Sequence, residues 1–202
     1  MNIALIGASG HVGTRILKEL VDRGHAVTAI ARHPDAIVRS AGVTRVRGDV
    51  SDPPGLVAVL RGHDVVISSV RFLDADAQTL IGVVKAAGAR RYLVVGGAGS
   101  LELAPGKRLL DSPDFPAEYR PEAEAGARFL DALRDEHTLD WVFISPSALF
   151  APGRRTGHFR LGTDTLLSND QGSSISFEDF AVALVDEIEK PAHHRQRFTV
   201  GY

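Results

Sequence analysis

The stretch from Ile3 to Gly13 (IALIGASGHVG) constrains the fold of this chain more than any other. Four apolar residues, Ile3 to Ile6, end at Gly7, and two further glycines follow at intervals of three. A short apolar run that ends in glycine is typical of a buried parallel strand. Apolar residues then recur with helical spacing as far as position 21, which indicates an amphipathic helix. The glycines are therefore predicted to lie in a turn that joins a strand to a helix.

Such a turn is suited to binding an anion, because backbone N–H groups at a helix N-terminus point outward. Gly7 would allow the tight turn, Gly10 would let a diphosphate approach the backbone, and Gly13 would let the helix pack close to the strand. The spacing is GxxGxxG rather than GxGxxG, because position 9 is Ser. A plain strand–helix turn can also contain glycines, but this placement favours a nucleotide. The residues predicted to contact the cofactor here are Gly7, Ser9, Gly10, His11, Val12 and Gly13.

Composition excludes several classes of function. The 202 residues carry a formal net charge of −2, with acidic and basic residues interspersed, so no field would attract nucleic acid or an anionic membrane. The absence of cysteine excludes disulfides, thiolate catalysis and cysteine-ligated metals. The histidines form no ligand pattern, so no metal is predicted. Because the first strand starts near Met1 and no apolar run reaches about 18 residues, we expect no signal peptide, no membrane span and a cytoplasmic protein.

Strand and helix patterns alternate along the first half of the chain. This alternation predicts an α/β fold of the Rossmann type, a doubly wound parallel sheet in three α/β/α layers that forms a single domain over 1–202. The expected strand order is 3-2-1-4-5, with later strands added at the far edge, and the ligand at the carboxyl ends of the strands. The predicted strands cover 3–6, 26–31, 43–47, 64–70, 91–95, 139–144 and 197–200, and the predicted helices cover 12–21, 53–60, 74–87, 121–136 and 177–189.

Two irregular stretches interrupt the second half. Residues 97–120 and 146–175 are rich in Pro and Gly, and long loops inside a compact domain are usually functional. We therefore expect them to form the substrate pocket. Ser176 to Asp179 reads as a capping box before the last helix.

Arg32 stands at the end of the second predicted strand, where the adenosine ribose of a bound dinucleotide would lie. An acidic residue there would bind the 2′-OH of NAD, whereas Arg offers a charged fork to the 2′-phosphate of NADP. No acidic residue occupies 28–34, so NADP is favoured over NAD. The alternative is an Arg that simply faces solvent. His33 could add a donor or stack on adenine, or be merely exposed.

Further candidate contacts follow two other strands. Asp49 could accept a hydrogen bond from the adenine amino group with Val50 beside the ring, or could be an ordinary turn residue after Gly48. Ser68, Ser69 and Val70 would end the strand beside the glycine turn and let the backbone pass close to the cofactor, or could be a plain strand end.

These residues together resemble a known family. The stretches 7–13, 32–34, 48–50 and 68–70 look like the atypical short-chain dehydrogenase/reductases of the NAD(P)H-binding, NmrA-like type. Later stretches resemble the branch described as NADH-flavin reductases, related to biliverdin reductase B; they are 96–100, 114–116, 139–141, 145–146, 152–153, 156–157 and 197–202. The resemblance covers essentially the whole chain, and it implies that Gly97 and Pro146 also contact the cofactor.

The proton-relay pair of short-chain carbonyl reductases, Tyr-x-x-x-Lys, is absent. Tyr119 is the one Tyr in the right region, and Ala123 stands four residues on. Ser100 lies where a catalytic Ser would be and could bind a substrate carbonyl or the edge of a flavin, although it could also be a turn residue. Ser100 and Tyr119 are the catalytic candidates, and Tyr119 could also only line the pocket.

The missing pair fits flavin reduction, because a flavin can take its proton from water and the protein need only align two rings. We expect an NADPH-dependent oxidoreductase, monomeric or homodimeric, with FMN, FAD or a similar flat molecule as a diffusing substrate. A non-catalytic NADP-binding redox sensor and an isomerase remain as alternatives. The loop at 150–160 is expected to cover the acceptor, with Arg154, Arg155 and Arg160 on a phosphate or carboxylate; a solvated basic loop is the other interpretation.

Overall fold

A computed structural model describes all residues from Met1 to Tyr202. It contains twelve strands and five α-helices. The strands are β1 (Asn2–Ile6), β2 (Ala26–Ala31), β3 (Val43–Arg47), β4 (Val65–Ser68), β5 (Arg91–Val95), β6 (Glu102–Ala104), β7 (Lys107–Arg108), β8 (Asp140–Pro146), β9 (Leu149–Ala151), β10 (Arg160–Gly162), β11 (Ser174–Ser176) and β12 (Gln196–Gly201). The helices are α1 (His11–Asp22), α2 (Pro53–Leu60), α3 (Ala77–Ala87), α4 (Arg120–Arg134) and α5 (Phe177–Glu189).

Eight strands form one central sheet, in the order β10-β12-β8-β5-β4-β1-β2-β3. All neighbours in it are parallel except β10, which runs antiparallel to β12 at the edge. The predicted order 3-2-1-4-5 with later strands at the far edge is thus confirmed, as is the Rossmann-type fold class. The order reverses between β1 and β4, and this places the switch point beside the glycine turn.

Helices cover both faces of the sheet. Ile16 of α1 and Phe180 of α5 belong to one apolar cluster with one face of the strands. Leu56 of α2, Leu80 of α3 and Leu130 of α4 belong to a second cluster with the opposite face. Both clusters draw on β1, β4, β5 and β8, so the sheet is buried from both sides, as expected of a parallel sheet.

Several predicted bounds differ from the structure for local reasons. The strand predicted at 64–70 ends at Ser68, because β1 ends at Ile6, whose carbonyl accepts the last ladder bond from Ser69 N–H, and offers no further partner. The helix predicted from 74 begins at Ala77, because Asp76 caps it by accepting from the N–H of Thr79. No helix is long and apolar enough to cross a membrane.

The two stretches predicted as irregular contain short strands. Within 97–120, β6 and β7 form an antiparallel hairpin. Within 146–175, β9 pairs with β11 in parallel, and β10 joins the central sheet. Strands of two or three residues give too little alternation for a sequence pattern to show.

The start of α5 fixes the segment that follows β9. Ser176 caps α5 by accepting from the N–H of Asp179, as predicted. The carboxylate of Asp179 accepts instead from the N–H groups of Thr156 and Gly157 and from the hydroxyl of Tyr202. The C-terminal residue and the loop at 152–158 are thereby both tied to one buried carboxylate.

Candidate functional site

The glycine turn brings three chain segments into close approach. Gly7 has a φ of +82°, which L side chains rarely adopt, and a Cβ on it would lie 2.1 Å from the carbonyl oxygen of Ser69. A Cβ on Gly13 would lie 2.1 Å from the carbonyl oxygen of Gly7, so the first turn of α1 rests directly on the end of β1. Gly10 has only the Gly7 oxygen nearby, at 3.3 Å. The turn therefore needs two glycines for its own packing, and Gly10 leaves its Cβ side open.

The N-terminus of α1 carries unused hydrogen-bond donors. The N–H groups of Ser9, His11, Val12 and Gly13 donate to no atom of the protein, and no side chain caps the helix. By contrast, Asp52, Asp76 and Ser176 cap α2, α3 and α5, while α4 also begins without a side-chain cap. Four free N–H groups at one helix end with a positive dipole match the oxygens of a diphosphate. The residues present thus fit the predicted dinucleotide.

A cleft of about 470 Å³ opens in front of this turn, at the carboxyl ends of β1, β2, β3 and β4. It collects most of the predicted cofactor residues. Those that line it are Gly7, Ser9, Gly10, Arg32, His33, Asp49, Val50, Ser69 and Val70.

Arg32 and Asp49 face the cleft near each other. Arg32 is exposed and has no hydrogen bond or ion pair within the protein, so its guanidinium is free for a ligand. Asp49 accepts from the N–H of Ser51 at 2.9 Å. This hydrogen bond, and more weakly the charges of Arg32 and Arg47, hold the pKa of Asp49 below its ordinary value. Asp49 is therefore an ionised hydrogen-bond acceptor. It belongs to a turn and also lines the cleft, so the two interpretations of this residue are compatible.

The remaining predicted cofactor residues lie outside the cleft wall. His11, Val12 and Gly13 form the first turn of α1 and do not line the cleft, so the N–H groups at the helix start are what they can offer a ligand. The Ser68 hydroxyl is buried and pairs with the Tyr92 hydroxyl at 2.8 Å, so it holds β4 to β5. Pro146 ends β8, is buried and lines neither this cleft nor the cavity described next.

A second, larger cavity of about 600 Å³ lies past the carboxyl ends of β5 and β8. The segment 69–74 separates it from the cleft, since Ser69 and Arg71 face the cleft while Phe72 faces the cavity. Glu122 fixes this segment by accepting from the N–H groups of Phe72 and Leu73. Both segments predicted to form the pocket contribute, with residues from 97 to 119 on one side and Ala148, Leu149 and Ser173 on the other.

The floor and walls of the cavity suit a flat molecule. Gly96 and Gly99 are needed for packing, because a Cβ on them would lie within 2.7 Å of Phe143 and Ala123 respectively. Gly97 has nothing closer than the Phe72 ring at 3.9 Å, which leaves an open patch of backbone. Aromatic rings of Phe72, Phe115 and Tyr119 line the sides. Aromatic faces and a bare glycine surface allow a planar ring system to stack.

The catalytic candidates both line this cavity. Ser100 is half-buried, and its Oγ accepts a hydrogen bond of 2.9 Å from Arg197. Tyr119 is 63% exposed at the rim and makes no side-chain hydrogen bond. Ala123 stands four residues after Tyr119, where the Tyr-x-x-x-Lys pattern has Lys. Its side chain packs against Gly99 in the cavity floor. The cavity therefore offers a hydroxyl donor but no Tyr–Lys pair.

The expectation that Arg154, Arg155 and Arg160 meet a ligand in the cavity is wrong, because none of the three lines it. Arg155 pairs with Glu19 of α1 at 2.7 Å, and Arg160 donates to the backbone carbonyls of Ser168 and Tyr202. The loop packs on α1 and α5, because Asp179 and Glu178 accept its N–H groups at Thr156, Gly157 and Gly153. Arg155 and Arg160 serve the fold instead, and the loop is not simply a solvated basic segment.

Some site residues were missed by reasoning from the sequence. Arg71 and Asp74 line the cleft, and Asp114 and Glu122 line the cavity. Arg71 directly follows the Ser-Ser-Val stretch, so its position at the switch point could have indicated it. Arg197 is 97 residues from Ser100, and no local pattern connects the two.

The chain matches the model of a family described as NAD(P)H-binding, over residues 7–191. It is 41% identical to the uncharacterized protein YwnB of Bacillus subtilis strain 168, in an alignment that covers 99% of this chain and 98% of YwnB.

Solved structures with the same fold cover the whole chain. A structure from Bacteroides thetaiotaomicron described as a "putative epimerase" superposes on this chain with a TM-score of 0.95 at 45% identity. The match covers 96% of the Bacteroides chain. A structure from Streptococcus pneumoniae TIGR4 described as a "putative NADH-flavin reductase" gives a TM-score of 0.84 at 37% identity. The match covers 99% of the Streptococcus chain. Both similarities extend over 100% of the present chain.

Proposed function

This chain belongs to the NAD(P)H-binding family, and on that premise we propose that it is an NADPH-dependent reductase of free flavin or of a similar flat conjugated acceptor. The observation that carries the proposal is the glycine-floored cavity of about 600 Å³ that adjoins the dinucleotide cleft at the same edge of the sheet. The similarity to the protein described as a "putative NADH-flavin reductase" supports the same acceptor class.

The bound dinucleotide would supply a hydride from the nicotinamide C4. The protein's own contribution would be to hold the nicotinamide ring and the acceptor ring face to face where the cleft adjoins the cavity, beside the 69–74 segment. Alignment of this kind supplies much of the catalytic effect in hydride transfer between cofactors. Since water can deliver the proton that completes flavin reduction, the absence of a Tyr–Lys pair is no obstacle.

Preference for NADPH rests on Arg32. Its guanidinium is exposed at the end of β2 and has no partner in the protein. A charged fork in this position would bind the 2′-phosphate bidentately. The cleft is also lined by His33, next to Arg32, and by Arg71, which follows β4.

The decisive experiment mixes the purified protein with NADPH and riboflavin or FMN, and follows loss of the nicotinamide absorbance. We expect turnover well above a protein-free blank. Binding of NADPH is measured separately by calorimetry. Tight NADPH binding without turnover would contradict the reductase proposal and support a redox sensor instead.

The cofactor preference is tested with Arg32→Glu. We expect NADPH to bind ten- to a hundredfold more weakly, since hydrogen bonds to charged groups contribute roughly 1.5–3 kcal/mol. Binding of NADH should not weaken, because NADH lacks the 2′-phosphate and a carboxylate at this position can accept from its 2′-OH. The matched control is Arg61→Glu, which makes the same charge change at the far end of α2. Equal losses for NADPH and NADH would refute the assignment.

A further inference from the structure

The hydroxyl of Ser100 is held by a group that can only donate. Arg197 Nη1 lies 2.9 Å from Ser100 Oγ, and no other hydrogen bond involves this hydroxyl. A guanidinium has five N–H donors and no acceptor, so the Ser oxygen must accept. The hydroxyl proton is consequently left for another acceptor, and Ser100 lines the cavity in which such an acceptor would lie.

Arg197 is itself fixed in place. Its side chain is 3% exposed, and its Nε donates to Asp164 Oδ1 at 2.9 Å, with a second N–H on the same oxygen. The backbone of Asp164 accepts from the N–H of Glu102, which ties the pair to the β6 hairpin that follows Ser100. On the other side Arg197 lies in β12, in register with Phe143 of β8. The guanidinium therefore cannot swing away from Ser100 without breaking its two hydrogen bonds to Asp164 and leaving a buried charge unpaired.

A charged donor also changes the strength of the next hydrogen bond. Hydrogen bonds from ionised groups are roughly twice as strong as neutral ones, and bonds in a chain polarise one another. Electron density drawn from Ser100 Oγ toward Arg197 makes the hydroxyl a better donor. The cavity face of Ser100 is thus set to stabilise negative charge on an oxygen atom.

We propose that Arg197 is a positioning residue that makes Ser100 a dedicated hydrogen-bond donor to a carbonyl oxygen of the acceptor. The inference rests on the proposed function and narrows its substrate class to planar acceptors whose carbonyl is conjugated with the atom that receives the hydride. An isoalloxazine ring has this arrangement, since its C4 carbonyl is next to N5.

Hydride transfer from NADPH to the acceptor breaks one bond and forms one bond. The C–H bond at the nicotinamide C4 breaks with both electrons, and an N–H bond forms at the acceptor nitrogen. The electron pair displaced from the acceptor's conjugated system moves partly onto the carbonyl oxygen, where Ser100 donates. Water then supplies one proton, so NADPH is oxidised and the acceptor is reduced by two electrons and two protons in total.

The test is a double-mutant cycle with Ser100→Ala, Arg197→Met and the double variant, assayed with NADPH and riboflavin. We expect each single change to lower kcat about a hundred- to a thousandfold, as removal of one donor to a developing oxyanion does. The double variant should be little slower than either single one, because Arg197 acts through Ser100. Independent, multiplicative losses would overturn the proposal and leave Arg197 a purely structural role.

A second acceptor separates catalysis from folding. Methylene blue is planar and accepts a hydride but has no carbonyl group, so its rate should change by about threefold or less in the same variants. Arg197→Lys keeps a cationic donor and should restore much of the riboflavin rate. Arg91→Met is the control for loss of a buried arginine, because Arg91 pairs with Glu187 away from the cavity. It should lower stability without changing the ratio of riboflavin to methylene blue rates.

Binding distinguishes failure of this inference from failure of the proposed function. Quenching of riboflavin fluorescence by the protein with NADP⁺ bound needs no turnover, and the same non-additive pattern should appear in the dissociation constants. Riboflavin binding with additive losses would overturn the role of Arg197 alone. Absence of riboflavin binding by the unmodified protein would overturn both proposals.

Discussion

At Gly13 the requirement for glycine is a distance, not a backbone conformation. Its φ is not in the left-handed region, yet a Cβ would lie 2.1 Å from the Gly7 oxygen and 3.0 Å from the Gly7 carbonyl carbon. Both neighbours are backbone atoms that cannot rotate away. Gly10, three residues earlier, would place a Cβ 3.3 Å from the same oxygen and otherwise in the open cleft. Two glycines of one motif thus serve different purposes.

Alanine substitutions at Gly13 and Gly10 should therefore affect stability and NADPH binding differently. Gly13→Ala should destabilise the protein by about 1–3 kcal/mol, the usual cost of overpacking, because the turn must move. Gly10→Ala should change stability by only about 0.5 kcal/mol, as at an open surface site, but should weaken NADPH binding, because its methyl group projects toward the diphosphate. Urea unfolding without cofactor and calorimetry with NADPH give the two quantities. Equal destabilisation by both variants would contradict the assignment.

Single residues differ in how far the sequence reveals them. Arg32 could be placed in the cleft because it directly follows a predicted strand at a known position of the fold. Arg155 could not be placed, because its partner Glu19 is 136 residues away and the pair exists only once α1 and the loop have packed together. The hydrogen bond from Arg155 holds the pKa of Glu19 below its ordinary value and outweighs the opposing effect of burial.

At the scale of elements, the N-terminus of α5 organises the C-terminal third of the chain. Asp179 is fully buried and accepts from Thr156, Gly157 and Tyr202. Burial favours the neutral acid, but these hydrogen bonds outweigh it and lower the pKa of Asp179 below its ordinary value. The ionised carboxylate therefore stabilises the folded state.

Asp179→Asn should lower the free energy of unfolding at pH 7 by about 1–3 kcal/mol, because an amide has one acceptor oxygen and its NH2 group would face donors. Asp186→Asn on the same helix is the control; its exposed pair with Arg23 should contribute at most about 1 kcal/mol. Urea midpoints of the three proteins at pH 7 measure the effect, and a similar loss from both variants would contradict it.

The pH dependence has a definite sign. Because the folded-state pKa of Asp179 is lowered, its contribution is fully present above the unfolded Asp pKa of about 3.9 and is lost as the pH falls through the folded-state value. The stability gap between the unmodified protein and Asp179→Asn should stay constant from pH 7 to about pH 5 and narrow below pH 4. A gap that widens on acidification would show that the carboxylate is not stabilised by its ionisation.

Elements were predictable where periodicity extends over five or more residues. β2, β3 and β5 have the predicted bounds, and α5 starts at its predicted cap. The β6–β7 hairpin and the β9–β11 pair were not predictable, since their strands are two or three residues long and depend on contacts with distant segments. The cavity is built largely from these parts, which explains why its lining was predicted less completely than the cleft.

At the scale of the whole molecule, the two halves of the chain share one sheet and both cores. β8 and β12 of the second half extend the sheet from β5, and α5 packs beside α1 in one apolar cluster. No layer can be removed without exposing the apolar face of another. We therefore expect the protein to unfold in one cooperative step.

Trp141 provides the probe for this expectation. It is the single Trp, is 2% exposed and lies in β8 in the cluster opposite α1 and α5. The urea midpoint measured by Trp fluorescence should equal the midpoint measured by far-UV circular dichroism, a signal that averages over all five helices. NADPH should move both curves together. Separate midpoints would show that the two halves unfold independently.

The uncapped start of α1 links the lifetime of this protein to its ligand. Four N–H groups that donate to no protein atom are available there to the diphosphate of a bound dinucleotide. A dinucleotide present at 100 times its dissociation constant would add about 2.7 kcal/mol to the free energy of unfolding. Proteases that attack transiently unfolded chains would then degrade the protein about a hundredfold more slowly at this dinucleotide concentration than without dinucleotide. Cellular abundance would follow cofactor supply without any dedicated regulator.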